Sequence, residues 1–330
     1  MIRQKGFALV LVLWVLSLLT IMAGSFALSM RREAAIVTGI RSNAQAMAVA
    51  ESGLAVAELM LMHPDQRQRW RTDGSSYQID YTDSKVRIRL LAETGKVDLN
   101  SADQTLLQGL MAYAPVDDKL QTKLVSAILD WRDADDLVHI EGAEKKDYKD
   151  AGLSYQPRNK PFQSVEELQL VLGIDEQVFN WLENRVTVYS GQPTVDLTMA
   201  AEAVLLVLPG IDEKLIAPYI LARRESAMNG LPAPAFGVPQ SGMSAAPEET
   251  TPETPVDDGL QVVVTVISEA LLEDGTTAII TALIKKSDGA ELSPFQILKW
   301  QRNSAGEGSL FSDEKNELLL RQYAEPEFNN

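Results

Sequence analysis

The 330-residue chain contains no cysteine and only two histidines, His63 and His139. Without cysteine no disulfide framework can form, so the chain is compatible with an oxidising compartment but does not require one. A zinc site is disfavoured, because zinc is usually held by cysteine and histidine. Acidic residues outnumber basic ones by 46 to 30, giving a net charge of −16. This balance argues against a general nucleic-acid binder and favours calcium, which takes oxygen ligands.

Patterns that carry common catalytic chemistry are also missing from the sequence. There is no glycine-rich phosphate loop, no nucleophile elbow and no histidine-centred arrangement of an acid and a nucleophile. We therefore predict a structural protein rather than an enzyme.

No ionisable residue occurs between Phe7 and Met30. As a helix this stretch would extend about 36 Å, enough to cross a hydrocarbon core of about 30 Å. We predict a transmembrane helix over residues 7–30. A cleaved signal peptide, with a small-residue site at 23–25, is an alternative, although its apolar region would normally span only about 7–15 residues. A plain single-span membrane anchor also fits the apolar run, whereas a buried core helix is disfavoured by its length.

The helical pattern continues beyond the apolar run. No proline occurs before Pro64, and apolar residues between Val37 and Leu61 recur at intervals of three, four or seven. The residue before a proline is disfavoured in a helix, so His63 and Pro64 should end it. We predict one helix over residues 7–62, whose amphipathic second half packs on a soluble domain.

Several short runs alternate between apolar and polar residues or are rich in Val, Ile and Thr. Residues 77–81 and 86–90 flank a turn and predict a β-hairpin. Residues 260–267, 276–284 and 295–300 predict three further strands, separated by Asp-Gly turns. We expect all five strands to form one antiparallel sheet.

Between these strand regions, residues 97–228 are predominantly helical in pattern and partly repetitive. The triplet at 97–99 recurs at 195–197, and residues 172–176 resemble residues 209–213. A helix, a glycine turn and a second helix resemble a helix-hairpin-helix element. In DNA-binding hairpins the backbone amides reach phosphate, but here Asp175 and Asp212 would repel it. A packing role is therefore favoured over DNA binding.

An acidic stretch within this helical region suggests a calcium site. Calcium takes about 6–8 oxygen ligands, and four acids could converge if the loop folds back: Asp133, Asp135, Glu144 and Asp147. The first and third of these have EF-hand spacing, but Val138 replaces the glycine that such a loop requires. A solvated acidic loop without metal is the alternative.

The order Lys5-Gly6-Phe7 before a long apolar run resembles the prepilin leader of type IV pilins and type II secretion pseudopilins. The acidic segment from Asp133 and the triplet Gly142-Ala143-Glu144, inside a helical insertion, resemble the K-type minor pseudopilin family more specifically. The resemblance implies peptidase cleavage between Gly6 and Phe7, methylation of the new N-terminus and calcium bound in the insertion. Most pilins carry glutamate at the fifth mature position, where this chain has Leu11.

The resemblance also implies a role and a location. The role is that of a tip subunit that initiates or caps the pseudopilus for protein export across the outer membrane. The implied partners are minor pseudopilins of types I and J, other pseudopilins, the prepilin peptidase and the inner-membrane assembly platform, with no nucleic acid. The implied location is a single pass through the bacterial inner membrane with the soluble domain in the periplasm. The alternative function is a membrane-anchored helix-hairpin-helix protein that binds DNA in the cell envelope.

The predicted fold is α+β: a pilin-like domain, in which the long N-terminal helix packs on an antiparallel sheet, with a large all-helical insertion. Prolines interspersed with small and acidic residues predict a flexible linker, and the polar C-terminus predicts a disordered tail. The predicted segments are the leader (1–6), the helix (7–62), the hairpin region (63–96), the insertion (97–228), the linker (229–258), the C-terminal strands (259–303) and the tail (304–330).

Overall fold

The computed structural model describes residues 7–237, 263–287, 293–303, 308–312 and 319–323. The predicted leader lies outside the described residues, as do residues 238–258 of the predicted linker and parts of the predicted tail.

One uninterrupted helix, α1 (Phe7–Leu61), opens the described chain. This agrees with the predicted helix to within one residue at its C-terminal end. Its apolar part is long enough to cross a membrane and is fully exposed, so the interpretation as a buried core helix is wrong. The second half instead packs on a sheet through small residues. A Cβ at Gly53 would lie only 2.2 Å from Ser268 Oγ, which itself donates a hydrogen bond to Ala50 O at 2.8 Å.

The described residues form eight β-strands: β1 (Asp73–Asp80), β2 (Ser84–Ala92), β3 (Val97–Asp98), β4 (Val186–Thr187), β5 (Val263–Leu272), β6 (Thr277–Lys286), β7 (Phe295–Asn303) and β8 (Leu319–Tyr323). Six of them make one sheet in the order β7-β6-β5-β2-β1-β8. All neighbours are antiparallel except β1 and β8, which are parallel. The predicted antiparallel sheet that joins the early hairpin to the C-terminal strands is confirmed. Strand β8 is a correction, because it lies in the segment predicted as a disordered tail.

The insertion between β2 and β5 carries the remaining α-helices: α2 (Gln104–Met111), α3 (Asp118–Arg132), α4 (Lys145–Asp150), α5 (Glu176–Glu183), α6 (Glu202–Leu205) and α7 (Glu213–Met228). The prediction of an all-helical insertion is wrong in one respect. Strands β3 and β4 pair in parallel and bring its beginning next to its middle. Asp103 caps α2 by accepting a hydrogen bond from Leu106 N at 2.7 Å.

Two separate apolar cores result. One lies between α1 and the sheet, and the other lies within the insertion. Polar contacts join the two units: Arg223 donates to Asp73 O at 2.8 Å, and Arg71 donates to Leu231 O at 3.0 Å. Phe236 packs edge-on against Tyr219, with ring centroids 4.8 Å apart. The first residues of the predicted flexible linker therefore pack against the body of the protein.

Candidate metal centre

The loop that follows α3 folds back onto the last turn of that helix. Its centre is Asp130, whose side chain is fully buried. One carboxylate oxygen accepts a hydrogen bond from His139 N at 3.0 Å, and the other accepts one from Ala143 N at 2.7 Å. The His139 ring nitrogen Nδ1 also contacts the first oxygen. The carboxylate thus holds the middle of the loop, at His139, and its C-terminal end, at Ala143.

Gly142 makes this closure possible. A Cβ at this position would lie 2.0 Å from the Oδ2 atom of Asp130, which is far inside contact distance. The Gly142 N–H also closes a tight turn by donating to His139 O at 2.8 Å. The triplet that carried the family resemblance therefore has a local explanation. Glycine admits the buried carboxylate, Ala143 donates to it, and Glu144 starts the next helix.

Three potential ligand groups meet at this closure. Atoms of Asp130, Asp133 and His139 lie within 4.8 Å of one another. The Oδ1 atom of Asp133 is buried, and no hydrogen bond to it occurs among the described residues. Burial raises the pKa of the Asp133 carboxyl, and the charges of Asp135 and Asp130 raise it further. Negative charge is thus concentrated here, and the Arg132 guanidinium and the His139 ring are among the neighbouring side chains that can oppose it.

Glu144 faces the same group of acids from the start of α4. Its N–H donates to Asp147 Oδ2 at 2.9 Å in a capping box. The Asp147 N–H approaches the Glu144 carboxylate in return, and the Lys145 N–H lies close enough to lower the pKa of that carboxyl. Both of its oxygens are buried, and neither has a hydrogen bond of normal geometry within the described chain. Burial first, and then the nearby charge of Asp130, raise the pKa of Glu144 to about 7.

Of the four predicted ligands, the structure brings Asp133 and Glu144 towards one centre and engages the other two elsewhere. Asp135 is exposed, and its Oδ1 atom accepts from Leu137 N at 2.8 Å. Asp147 caps α4. Sequence reasoning missed Asp130 and His139. One signal for Asp130 was available, because a carboxylate in the last turn of a helix opposes the helix dipole and needs a compensating partner.

The donor set is suited to a hard divalent cation. A buried carboxylate without a partner is costly, and a bound cation would remove that cost. The oxygens of Asp130, Asp133 and Glu144 are the ligand type that calcium prefers. His139 contributes differently, because its ring is hydrogen-bonded to Asp130 and orients that carboxylate.

The repeated hairpins adopt the geometry expected for helix-hairpin-helix turns. Gly173 and Gly210 both have positive φ, at 93° and 79°. The following Asp175 caps α5 through Val178 N at 2.9 Å, and Asp212 caps α7 through Lys214 N at 3.0 Å. The carboxylates that would repel phosphate thus act as helix caps, which supports a packing role for these hairpins.

The predicted processing site is described on one side only. Gly6 lies outside the described residues, and Phe7 is the first residue of α1.

Comparison with known proteins finds a family match over part of this chain. The model of a family described as type II secretion system (T2SS), protein K, matches residues 85–191. Two curated relatives, both named type II secretion system protein K, are 27% identical over 199 residues in Klebsiella pneumoniae and 26% identical over 204 residues in Aeromonas hydrophila. Each match covers 54% of this chain and 61% of the relative, so the chain spans about three fifths of their length. The resemblance predicted from the sequence is confirmed over this region, which contains the candidate metal centre.

A solved structure of the GspK-GspI-GspJ complex from the enterotoxigenic Escherichia coli type 2 secretion system is also similar. The match has a TM-score of 0.44 and 14% identity, and covers 84% of this chain and 99% of that one. A likeness this loose carries no argument about the partners of the present chain.

Proposed function

We propose that the chain is a minor pseudopilin of a type II secretion system, placed at the tip of the pseudopilus. There it would initiate or cap the fibre that exports proteins across the outer membrane. The observation that carries the proposal is a protein K match over residues 85–191, which span most of β2 and much of the insertion. The sheet that contains β2 packs on α1. The role is structural rather than enzymatic.

The proposed position in the cell is supported by α1. Its exposed apolar part is a candidate membrane anchor. We place this anchor in the bacterial inner membrane and the sheet with its insertion in the periplasm. The partners in this role are minor pseudopilins of types I and J, other pseudopilins and the inner-membrane assembly platform.

Processing by prepilin peptidase between Gly6 and Phe7, followed by methylation of Phe7, belongs to the same proposal. It is supported by the basic leader ending in glycine directly before the apolar run. Mass spectrometry of the membrane-extracted protein should find an N-terminal, methylated Phe7. An N-terminus near Phe26 would establish an ordinary signal peptide instead.

Leu11 supports placement at the tip. A carboxylate at the helix centre costs at least about 2.5 kcal/mol in a membrane, so it persists where it serves a partner. In the pilin family that partner is understood to be the N-terminal ammonium of the subunit ahead. Because position 11 is leucine, this chain has no carboxylate to pair with the subunit ahead. Its own N-terminal ammonium can still pair with the glutamate of the subunit behind.

Because the chain has no cysteine, introduced cysteines provide a clean crosslinking test. Pairs placed in the sheet domain and in the insertion should link this protein to subunits on one side only, at the end of assembled pseudopili. The proposal fails if the protein occurs at regular intervals along the shaft and contacts the major subunit both above and below.

Calcium bound by the Asp130–Glu144 loop is the cofactor proposal. It is supported by the buried oxygens of Asp133 and Glu144 that lack hydrogen bonds. Asp130, Asp133 and Glu144 would hold the ion. In that role calcium would neutralise the cluster and fix the loop, and it would supply no catalytic chemistry.

A further inference from the structure

A second site lies where three parts of the molecule meet. A cleft of about 920 Å³ opens between the C-terminal end of α1, the segment 66–72, the segment 230–233 that follows α7, and the sheet. Binding sites for small molecules typically have volumes of about 300–1,000 Å³. None of the candidate metal ligands lines this cleft.

The charged residues that line the cleft are all cationic: Arg67, Arg69, Arg71 and Lys286. Among the described residues no aspartate or glutamate lines it, although acidic residues exceed basic ones by 46 to 30 in the whole chain. All four cations already interact within the protein. Arg69 Nε donates to His63 O at 3.1 Å, and Arg71 Nε pairs with Asp73, which lies just behind the wall, at 2.9 Å.

The rest of the lining is mixed: it includes the polar Gln66, Gln68, Thr72 and Thr198 and an aromatic and aliphatic wall. Trp70 stacks on Tyr77, with ring centroids 4.2 Å apart and an interplanar angle of 3°. Leu61, Met62 and Phe295 continue this wall. Cations beside an aromatic and aliphatic wall match a ligand with an acidic group and an apolar body.

From this arrangement we infer that the cleft binds a small anionic amphiphile, such as a carboxylate on an apolar chain. This activity goes beyond the proposed role in fibre assembly and does not depend on it. The bilayer that holds α1 cannot supply the ligand in place. The cleft begins at Leu61, about 47 Å along the helix from the end of the apolar span at Met30. The ligand must therefore be free in solution or carried there.

Photolabelling distinguishes binding in the cleft from simple partition of the probe into the lipid. The full chain in lipid nanodiscs is irradiated with a diazirine-bearing dodecanoate, and labelled peptides are identified by mass spectrometry. We expect label on residues 61–72 and 230–233, in addition to label on α1 from probe dissolved in the bilayer. Octanoate should compete with the probe and lower the label on residues 61–72 and 230–233, and it should leave the label on α1 unchanged.

Charge variants test the acidic group. The double variant Arg67→Gln with Lys286→Gln should lower labelling of the cleft at least about fivefold, because charge-assisted contacts are lost. Labelling of α1 should not change, and melting measurements will show whether the variant is folded. Lys119→Gln, on an exposed part of α3, is the matched control and should leave cleft labelling unchanged.

The inference is overturned if the neutral diazirine-bearing dodecanol labels the cleft as strongly as the acid does. It is also overturned if label appears on α1 alone, or if the folded double variant is labelled like the unaltered chain. None of these results would bear on assembly of the fibre, which crosslinking tests separately.

Discussion

Buried carboxylates in this molecule differ in whether they have hydrogen-bond partners. At the junction of sheet and insertion, Glu93 pairs with Lys96 Nζ at 2.7 Å, accepts from Thr265 Oγ1 at 2.6 Å and contacts the Thr187 hydroxyl. Within the sheet, Glu269 accepts from Ser309 Oγ at 2.8 Å and from Leu310 N. In the loop after α3, by contrast, the Glu144 carboxylate is buried without a comparable partner.

We call the region held by Glu93 and Glu269 the joint, and the loop around Glu144 the receptor, because only the second has buried carboxylate oxygens left for a ligand. Carboxylates whose hydrogen bonds are complete hold two parts of the fold together. A carboxylate buried without partners destabilises the fold until something binds it. The two regions should therefore respond in opposite directions when their acids are changed.

The largest effect is expected at the joint. Glu93→Ala leaves the ammonium of Lys96 buried without its partner, and breaking such a pair typically costs about 3–5 kcal/mol. Thermal unfolding of the full chain in nanodiscs should show a large fall in the melting temperature. Glu93→Gln is the matched control, because it keeps an acceptor for Thr265 and should cost less. Equal losses in the two variants would show that the charge pair is unimportant.

Calcium should stabilise the receptor side. Binding to the folded state alone adds about 2.7 kcal/mol at a hundredfold excess over Kd. Melting with calcium and with chelator should differ accordingly, and the double variant Asp133→Ala with Glu144→Ala should abolish the difference. Asp118→Ala, at the exposed start of α3, should retain it. A calcium shift that survives the double variant would contradict the assigned ligands.

Glu144→Gln should act in the opposite direction to the change at Glu93. In chelator it removes an uncompensated buried charge, so we expect a gain of about 1–2 kcal/mol in the free energy of unfolding. The same variant should lose most of the response to calcium. Glu141→Gln, which alters an exposed neighbouring acid, should stay within about 0.5 kcal/mol of the unaltered chain. Destabilisation by Glu144→Gln in chelator would show that the carboxylate has a partner after all.

A pH dependence should accompany these changes. Because the folded-state pKa of Glu144 is raised from 4.5 to about 7, the folded protein holds a proton there that the unfolded chain has released. In chelator Glu144 should therefore not lower the free energy of unfolding below pH 4.5. It should lower that free energy progressively as the pH rises to about 7. Subtracting the melting profile of Glu144→Gln isolates this slope. Calcium should reverse it, because the ion binds the ionised carboxylate.

Elements with a local pattern were predictable, and those set by distant contacts were not. The helix α1 follows from a periodicity that continues to Pro64. Strand β8 is a short run with Leu319, Leu320 and Tyr323, and it forms because the edge of β1 is available to it. Likewise Asp133 and Glu144 stand out as acids. Asp130 and His139 gain their place only when Gly142 lets the loop close.

The pairing of β2 with β5 determines when the sheet can form during biosynthesis. About 170 residues separate these neighbouring strands, so at about 5–20 residues per second the second strand emerges roughly 10–35 s after the first. During that interval the insertion can fold around its own core. Until β5 and the later strands emerge, the early hairpin and the second half of α1 have apolar surface exposed. We expect this half-made state, rather than the finished protein, to be the form that most needs a chaperone.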